Sequence, residues 1–220
     1  GAEARVCSPS EKVLAKVRKP RPGSGSLLAD EVSLAVRKEA VERAIGSARI
    51  AFRNVSRAAD SRTVRACLVP PEHFLVNSAP YLAFVESDAL AEAACLALMN
   101  SLVFDWQARS FVEANVNFFI LEGLKLPALE RASMQALSSP AARLSCPDER
   151  FADFAKATGV ECGPLDEGER LALRAEIDAR VARVWELTEE ELEIVFSAFT
   201  TAAVPEDYRE TVRKRFAELS

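Results

Sequence analysis

The stretch that decides the fold is residues 88–106, DALAEAACLALMNSLVFDW, the longest apolar run in the chain. Leucine and alanine recur within it at the spacing of one helix face, at Leu90, Ala94, Leu98 and Leu102. Ser87 or Asp88 is a suitable N-cap, and the pattern predicts one long helix that reaches about Val112. A helix with so little polar surface is expected to lie at the centre of the core.

Upstream of this helix the hydrophobic period changes from that of a helix to that of a strand. Apolar and polar residues alternate in 48–53 and again in 63–68, and a period of two predicts β-strands. Residues 81–85 form a third extended run, so a small sheet is expected. Before the sheet, Asp30 is expected to cap a helix that continues to about residue 45 and stops at Gly46.

Downstream, residues 117–121 (NFFIL) are a strand candidate, and residues 131–147 have the composition of a linker. Helices are expected at 148–158 (stopped by Gly159), at 166–187, from 188 to about 199, and from Pro205 onward. The helix after Thr188 has a strong start signal, because Thr188 and Glu191 have the spacing of a capping box. The C-terminal part of the chain is therefore expected to be helical.

These elements predict an α+β protein in which helix dominates. It would have a small mixed or antiparallel sheet with a long core helix, followed by a helical C-terminal region. The predicted organisation is a flexible N-terminal segment (1–30), an α+β lobe (31–130), a linker (131–147) and a helical C-terminal region (148–220).

The charge of the chain is divided along its length. Residues 1–67 contain 14 Lys and Arg against 7 Asp and Glu, a sum of +7, whereas residues 68–220 contain 14 against 26, a sum of −12. The two sums give the net charge of −5. A basic element on an acidic scaffold is typical of proteins that bind polyanions, although a solvated basic face has the same composition.

The cysteines and the hydropathy indicate a compartment. The five cysteines are scattered and form no C-x-x-C pair, which argues against a disulfide framework and against a zinc site. No apolar run approaches the roughly 20 residues that cross a bilayer, and no signal-peptide pattern is present. We therefore expect a cytoplasmic protein without membrane contact.

The sequence contains no recognisable catalytic centre. His73 is the only histidine, so a histidine-based metal site or nucleophile pair has no second imidazole. The glycine-rich phosphate-binding motifs are absent. No lysine has an acidic residue two positions before it, the pattern of many restriction nucleases. Catalytic residues, a metal site and a cofactor site are not expected in this chain.

The one concentrated polar feature spans the two predicted strands and their connection: Arg49, Arg53, Asn54, Arg57, Arg62 and Arg65. Arginine can bind guanine edges and phosphates through its planar fork, and asparagine can bind adenine. The pattern is equally compatible with a solvated sheet face whose arginines pair with the acidic part of the chain. From the residues alone, both interpretations stay open.

Several segments resemble, in order, the C-terminal part of type IIG restriction-modification enzymes and related phage-defence adenine methyltransferases. Residues 52–63 (FRNVSRAADSRT) and 68–71 (LVPP) resemble one run of these enzymes. Residues 98–105 (LMNSLVFD) are similar to their leucine-leucine-asparagine-serine helix. The segments 117–121, 124–127 and 170–192 resemble the end of the recognition lobe and the helical extension after it.

The resemblance implies a target-recognition region that is not catalytic by itself. The parent enzyme would methylate adenine N6 in duplex DNA with S-adenosylmethionine, with or without a nuclease activity, and its cofactor site would lie upstream. The implied partners are duplex DNA and the upstream methyltransferase domain of the same polypeptide. The DNA-binding residues would be Arg53, Asn54, Arg57, Arg62 and Arg65.

A different class of function is also compatible with the sequence. The helical C-terminal region could be a protein-interaction module that docks a partner subunit or a regulator, with the arginines merely solvated. Salt dependence separates the two hypotheses, because phosphate contacts weaken steeply with salt and an apolar helix contact does not.

Overall fold

The computed structural model describes residues 25–26 and 33–219. It is 55% helical and 7% strand, so the expected helix-dominant α+β class is confirmed. In chain order the elements are β1 (Gly25–Ser26), α1 (Leu34–Ile45), β2 (Arg49–Phe52), β3 (Ala66–Val69), α2 (Ala89–Asn100), α3 (Leu102–Arg109), α4 (Phe118–Gly123), β4 (Lys125–Leu126), α5 (Arg131–Ser145), a 3₁₀ turn (Glu149–Phe151), α6 (Ala152–Thr158), α7 (Glu167–Val184), α8 (Glu189–Ser197) and α9 (Glu206–Glu218).

The first helix begins later than the sequence suggested. Asp30 and nearly all of the predicted segment 1–30 lie outside the described residues. Ser33 is the N-cap of α1, and its hydroxyl accepts a hydrogen bond from the amide of Val36 at 3.4 Å. Gly46 ends the helix as expected.

The strands β2 and β3 pair antiparallel, with Arg49 opposite Val69. The expected third run, residues 81–85, is not a strand, since it forms only an isolated bridge between Tyr81 and Ala51. Beyond the bridge, the Arg43 guanidinium donates to the carbonyls of Phe84 at 2.9 Å and Val85 at 2.7 Å. A two-stranded sheet results, and a second two-stranded sheet joins β1 to β4.

The central helix is broken in two at Ser101. The axes of α2 and α3 differ by 57°, and Ser101 has an extended backbone with ψ 155°. Its hydroxyl donates to the carbonyl of Leu98 at 2.7 Å and accepts from the amide of Phe104 at 3.2 Å. A serine that bonds the local backbone in this way competes with helix continuation and caps the next helix. The prediction of one continuous helix from residue 88 to 112 was therefore wrong. The predicted N-cap is correct, since Asp88 caps α2.

Two further predictions were wrong. Residues 117–121 form part of the helix α4 and not a strand, because the side chain of Asn117 accepts from the amide of Ile120 at 3.0 Å and starts a helix. Residues 131–147 are not a linker, since α5 occupies most of them. Met134, Leu137, Ala141 and Leu144 recur at helical spacing and pack in the core. Serines and Pro140 in the same segment concealed this period.

The helices α7, α8 and α9 begin where local signals predicted, but α7 ends at Val184, three residues before its predicted end. Asp166 and Thr188 each form a complete capping box, at the start of α7 and α8 respectively. Gly159 ends α6 in the left-handed conformation with φ 73°, which favours glycine. Pro205 precedes α9, and Val212 and Phe216 of this helix are buried.

The core consists of two clusters that share the broken central helix. One cluster surrounds Trp106, Trp185 and Phe216 and joins α2, α3 and α5 to the three C-terminal helices. The other surrounds Phe52 and Phe104 and joins the β2–β3 sheet to α2, α3 and α6. Because α2 and α3 contribute to both clusters, they connect the sheet to the C-terminal helices.

Candidate functional site

The connection between β2 and β3, residues 53–65, carries most of the arginines that the sequence singled out, and we call it the arginine loop. Side chains of the central helices hold its C-terminal end. Asp105 Oδ1 accepts from the amide of Val64 at 2.7 Å. Asn100 pairs with the backbone of Ala66, donating to its carbonyl at 3.0 Å and accepting from its amide at 3.1 Å. The open edge of β3 is therefore closed by side chains from α2 and α3.

Arg109 holds the tip of the arginine loop. Its guanidinium donates to the carbonyls of Ala58 at 2.6 Å and Asp60 at 2.7 Å, and its Nε donates to Asp105 at 3.0 Å. The same group stacks on the ring of Phe199, 4.3 Å from the centroid. Burial raises the pKa of Asp105, and the neighbouring arginines oppose that shift. The ion pair between Arg109 and Asp105 thus holds the carbonyls of Ala58 and Asp60 in place, which gives the loop a defined shape.

Arg53 and Arg62 bind to carboxylates of the protein itself. Arg53 pairs with Asp60 at 2.5 Å inside the loop. Arg62 lies 3.6 Å from Asp178 of α7, a buried carboxylate. Burial raises the pKa of Asp178, while Arg62 and the hydroxyl of Tyr208 lower it. These two arginines have much of their charge offset within the fold.

Arg49 and Asn54 contribute mainly to the fold. Arg49 is buried, donates to the backbone carbonyls of Ala44 and His73, and stacks over the ring of Tyr81 at 4.9 Å. Asn54 is half-buried. Its carbonyl accepts from the amide of Val116 at 2.6 Å, which ties the loop to the segment before α4.

Arg57 and Arg65 are the exposed cations of the arginine loop. The guanidinium of Arg65 donates to the hydroxyl of Ser61 at 2.8 Å. Within residues 33–219, neither guanidinium group lies within 4.0 Å of a carboxylate oxygen, although the backbone amide of Arg57 donates to Asp60 Oδ2 at 3.4 Å. The two side chains can therefore meet an external anion without first leaving an internal partner.

Two arginines that the sequence did not single out face the same region. Arg170 and Arg174 of α7 line a cavity of about 470 Å³ together with Arg62 and Arg65. They stand four residues apart, one helical turn, on the face of α7 that also carries Ile177. In the sequence, Arg170 and Arg174 lie at helical spacing from the buried Ile177, and this pattern could have revealed them as candidate site residues.

Groups for metal chemistry do not assemble in the described part of the chain. His73 is exposed, and its Nδ1 lies 2.8 Å from the carbonyl oxygen of Pro71. No group of three or more His, Cys, Asp or Glu side chains within the described residues could hold a metal ion. The arrangement is suited to binding through arginine.

Comparisons of this chain with protein-family models, with curated proteins and with solved structures find no match. Among the described helices, none alone is long and apolar enough to cross a membrane, and α2 and α3 pass that test only as a bent pair.

Proposed function

We propose that this chain is the target-recognition region of an adenine-specific DNA methyltransferase of a restriction-modification system, and that it binds duplex DNA without being catalytic by itself. The observation that carries the DNA-binding part of the proposal is the exposed pair Arg57 and Arg65, whose guanidinium groups have no carboxylate partner within residues 33–219, on a loop of defined shape. S-adenosylmethionine and the methyltransferase domain would belong to the upstream part of the parent enzyme. Its place would be the cytoplasm.

A loop held by long-range contacts favours recognition because little conformational entropy is lost on binding. Arg109, Asp105 and Asn100 already restrict the backbone between Ala58 and Ala66. Arginines placed on such a backbone present their guanidinium groups to phosphates and base edges at fixed positions.

The contacts of the loop narrow the list of residues that would meet DNA. Arg57 and Arg65 are the strongest candidates, because their charges are not offset by ion pairs within the described part of the chain. Arg53 and Arg62 would act mainly by shaping the loop, since each is paired with a carboxylate. The half-buried Asn54 would have a smaller role.

The rival hypothesis, a docking module in the C-terminal helices, finds little support on their surface. Of the large exposed hydrophobic side chains, only Leu171 lies in α7 to α9. A helix that docks in a groove needs several apolar anchors along one face. The proposed DNA interface therefore has the stronger physical basis.

The test is the binding of the 220-residue chain to a labelled DNA duplex, followed by fluorescence anisotropy over a salt series. Arg57→Ala/Arg65→Ala is compared with Lys156→Ala/Lys214→Ala, which removes two exposed cations from α6 and α9. Each phosphate contact contributes about 0.9 to the slope of log K against log salt. We expect the arginine variant to lower that slope by about 1.8 and the lysine variant to leave it unchanged. Equal slopes and affinities for all three proteins would refute the proposal.

A further inference from the structure

The cavity between β3 and α7 is strongly cationic. Its charged lining consists of four arginines and one carboxylate, a formal charge of +3: Arg62, Arg65, Arg170, Arg174 and Asp178. Residues of the helices α2 and α5 also line the cavity. Of the two arginines proposed to meet duplex DNA, Arg65 lines this cavity and Arg57 does not.

The single carboxylate does not neutralise the cavity. Asp178 accepts from the amide of Leu102 at 2.7 Å and from the hydroxyl of Tyr208 at 2.6 Å, and it faces Arg62. Its hydrogen-bonding capacity is therefore largely used inside the fold. Arg65, Arg170 and Arg174 have no carboxylate oxygen within 4.0 Å in the stretch 33–219.

The rest of the lining is largely apolar. Leu96, Leu144, Phe151 and Ile177 face the cavity from α2, α5, the 3₁₀ turn and α7. Its volume of about 470 Å³ lies within the range of small-molecule sites, about 300–1,000 Å³. The site thus combines exposed guanidinium groups with a buried apolar wall.

We propose that this cavity binds a nucleotide unit, with its phosphate on Arg65, Arg170 and Arg174 and its base against the apolar wall. Planar guanidinium groups bind phosphate through paired hydrogen bonds, and a base offers the flat apolar face that the wall can cover. A free nucleotide and a nucleotide within a single strand have this chemistry in common. The inference goes beyond sequence recognition in duplex DNA and does not depend on it.

Cys67 provides a local probe of the cavity. It lines the cavity and is exposed, whereas Cys162 is half-buried and lies outside the lining. Partial burial raises the pKa of the Cys67 thiol, which lowers the fraction of thiolate, the form that is alkylated. A ligand in the cavity should shield Cys67 and leave Cys162 unaffected.

The experiment measures the rate of N-ethylmaleimide labelling of each cysteine in the 220-residue chain by peptide mass spectrometry. The probes are deoxyadenosine monophosphate, uncharged deoxyadenosine, and a single-stranded oligonucleotide. At a concentration about ten times its Kd, a bound nucleotide should slow Cys67 labelling about tenfold, since only the free protein reacts. Arg170→Ala/Arg174→Ala should raise that Kd at least about tenfold, and Lys156→Ala/Lys214→Ala should not.

The outcomes distinguish the sources of the ligand. Protection by the mononucleotide supports a site for free nucleotides, and protection by the oligonucleotide alone supports a site for a nucleotide within a strand. Unchanged Cys67 labelling with both probes overturns the proposal, as does equal protection by deoxyadenosine, which has no phosphate. Because no duplex is present, failure here is distinct from failure of the duplex-binding proposal. Circular dichroism of the variants checks that they remain folded.

Discussion

The arginine loop and the starts of the C-terminal helices are specified by contacts over different distances in the chain. At the starts of α7 and α8, Asp166 with Glu169 and Thr188 with Glu191 form capping boxes between residues three positions apart. In the loop, the amide of Val64 bonds to a carboxylate 41 residues away, and Arg109 reaches the carbonyl of Ala58 from 51 residues away. The helices are thus specified locally, whereas the shape of the loop depends on the assembled core.

Burial predicts which contacts of the two regions contribute most to stability. The bond from the amide of Val64 to Asp105 is buried, where a lost partner leaves an uncompensated polar group. The ion pairs of α9 are exposed and solvated, so water replaces a lost partner.

The largest effect is expected for Asp178, which joins α7 to α3, α9 and the arginine loop. Asp178→Ala leaves the amide of Leu102, the hydroxyl of Tyr208 and the Arg62 cation without their partner. We expect the free energy of unfolding to fall by about 3–5 kcal/mol, as measured by urea denaturation. Tyr208→Phe removes only one of these bonds and should cost about 1 kcal/mol. Equal losses for the two variants would contradict the central role of the carboxylate.

Asn100 should have the next largest effect, because it closes the edge of β3. Asn100→Ala removes two hydrogen bonds to the backbone of Ala66, and we expect a loss of about 1–3 kcal/mol. Hydrogen exchange should become faster at the amide of Ala66 and unchanged in α8. Asn77→Ala, at an exposed position, is the control. Unchanged exchange at Ala66 in Asn100→Ala would show that the strand edge does not need this side chain.

A local signal should have a smaller and local effect. Thr188→Ala removes the hydroxyl that accepts from the amide of Glu191 at 3.2 Å, which should cost about 1 kcal/mol of unfolding free energy. Thr188→Ser keeps the hydroxyl and should restore most of it. Exchange should quicken at the start of α8 and not in the arginine loop. Faster hydrogen exchange at Val64 as well would contradict the expectation that this capping box acts only on its own helix.

The smallest effect is expected for an exposed ion pair. Arg213 pairs with Glu193 at 2.5 Å and with Glu206 at 2.7 Å on the surface of α8 and α9. Arg213→Ala should reduce the unfolding free energy by about 0.2–1 kcal/mol, and the difference should shrink at high salt. Denaturation at low and high salt measures both. A loss comparable to that of Asp178→Ala would overturn the ranking of buried over exposed contacts.

Much of the helical region was predictable, because its signals lie within a few residues of each other. The capping box at Thr188 and the glycine stop at Gly159 act within a single turn. The linker predicted for residues 131–147 failed where such signals conflicted, since Pro140 and several serines concealed a buried helical face. The composition of the segment indicated a linker, but the packing of Leu137 in the core stabilises it as a helix.

The candidate site was predictable in part. The concentration of arginines between residues 49 and 65 is a property of the sequence, but their separate roles are not. Arg49 was expected on a polar edge, and it is buried against Tyr81. Arg170 and Arg174 join the site only because the folded chain brings α7 and β3 to the same cavity.

By itself the sequence determined the helix-dominant α+β class, the apolar central segment, the caps at Asp88 and Thr188, and the basic character of the first third of the chain. Only the tertiary structure decided that Arg62 faces a buried carboxylate while Arg57 and Arg65 remain exposed. The tertiary structure also fixes the break at Ser101, where the carboxylate of Asp178 accepts a hydrogen bond from the amide of Leu102. The physical reason is the same in both cases: partners from distant segments meet only when the core assembles, and the fate of a charge or an amide depends on the partner it meets.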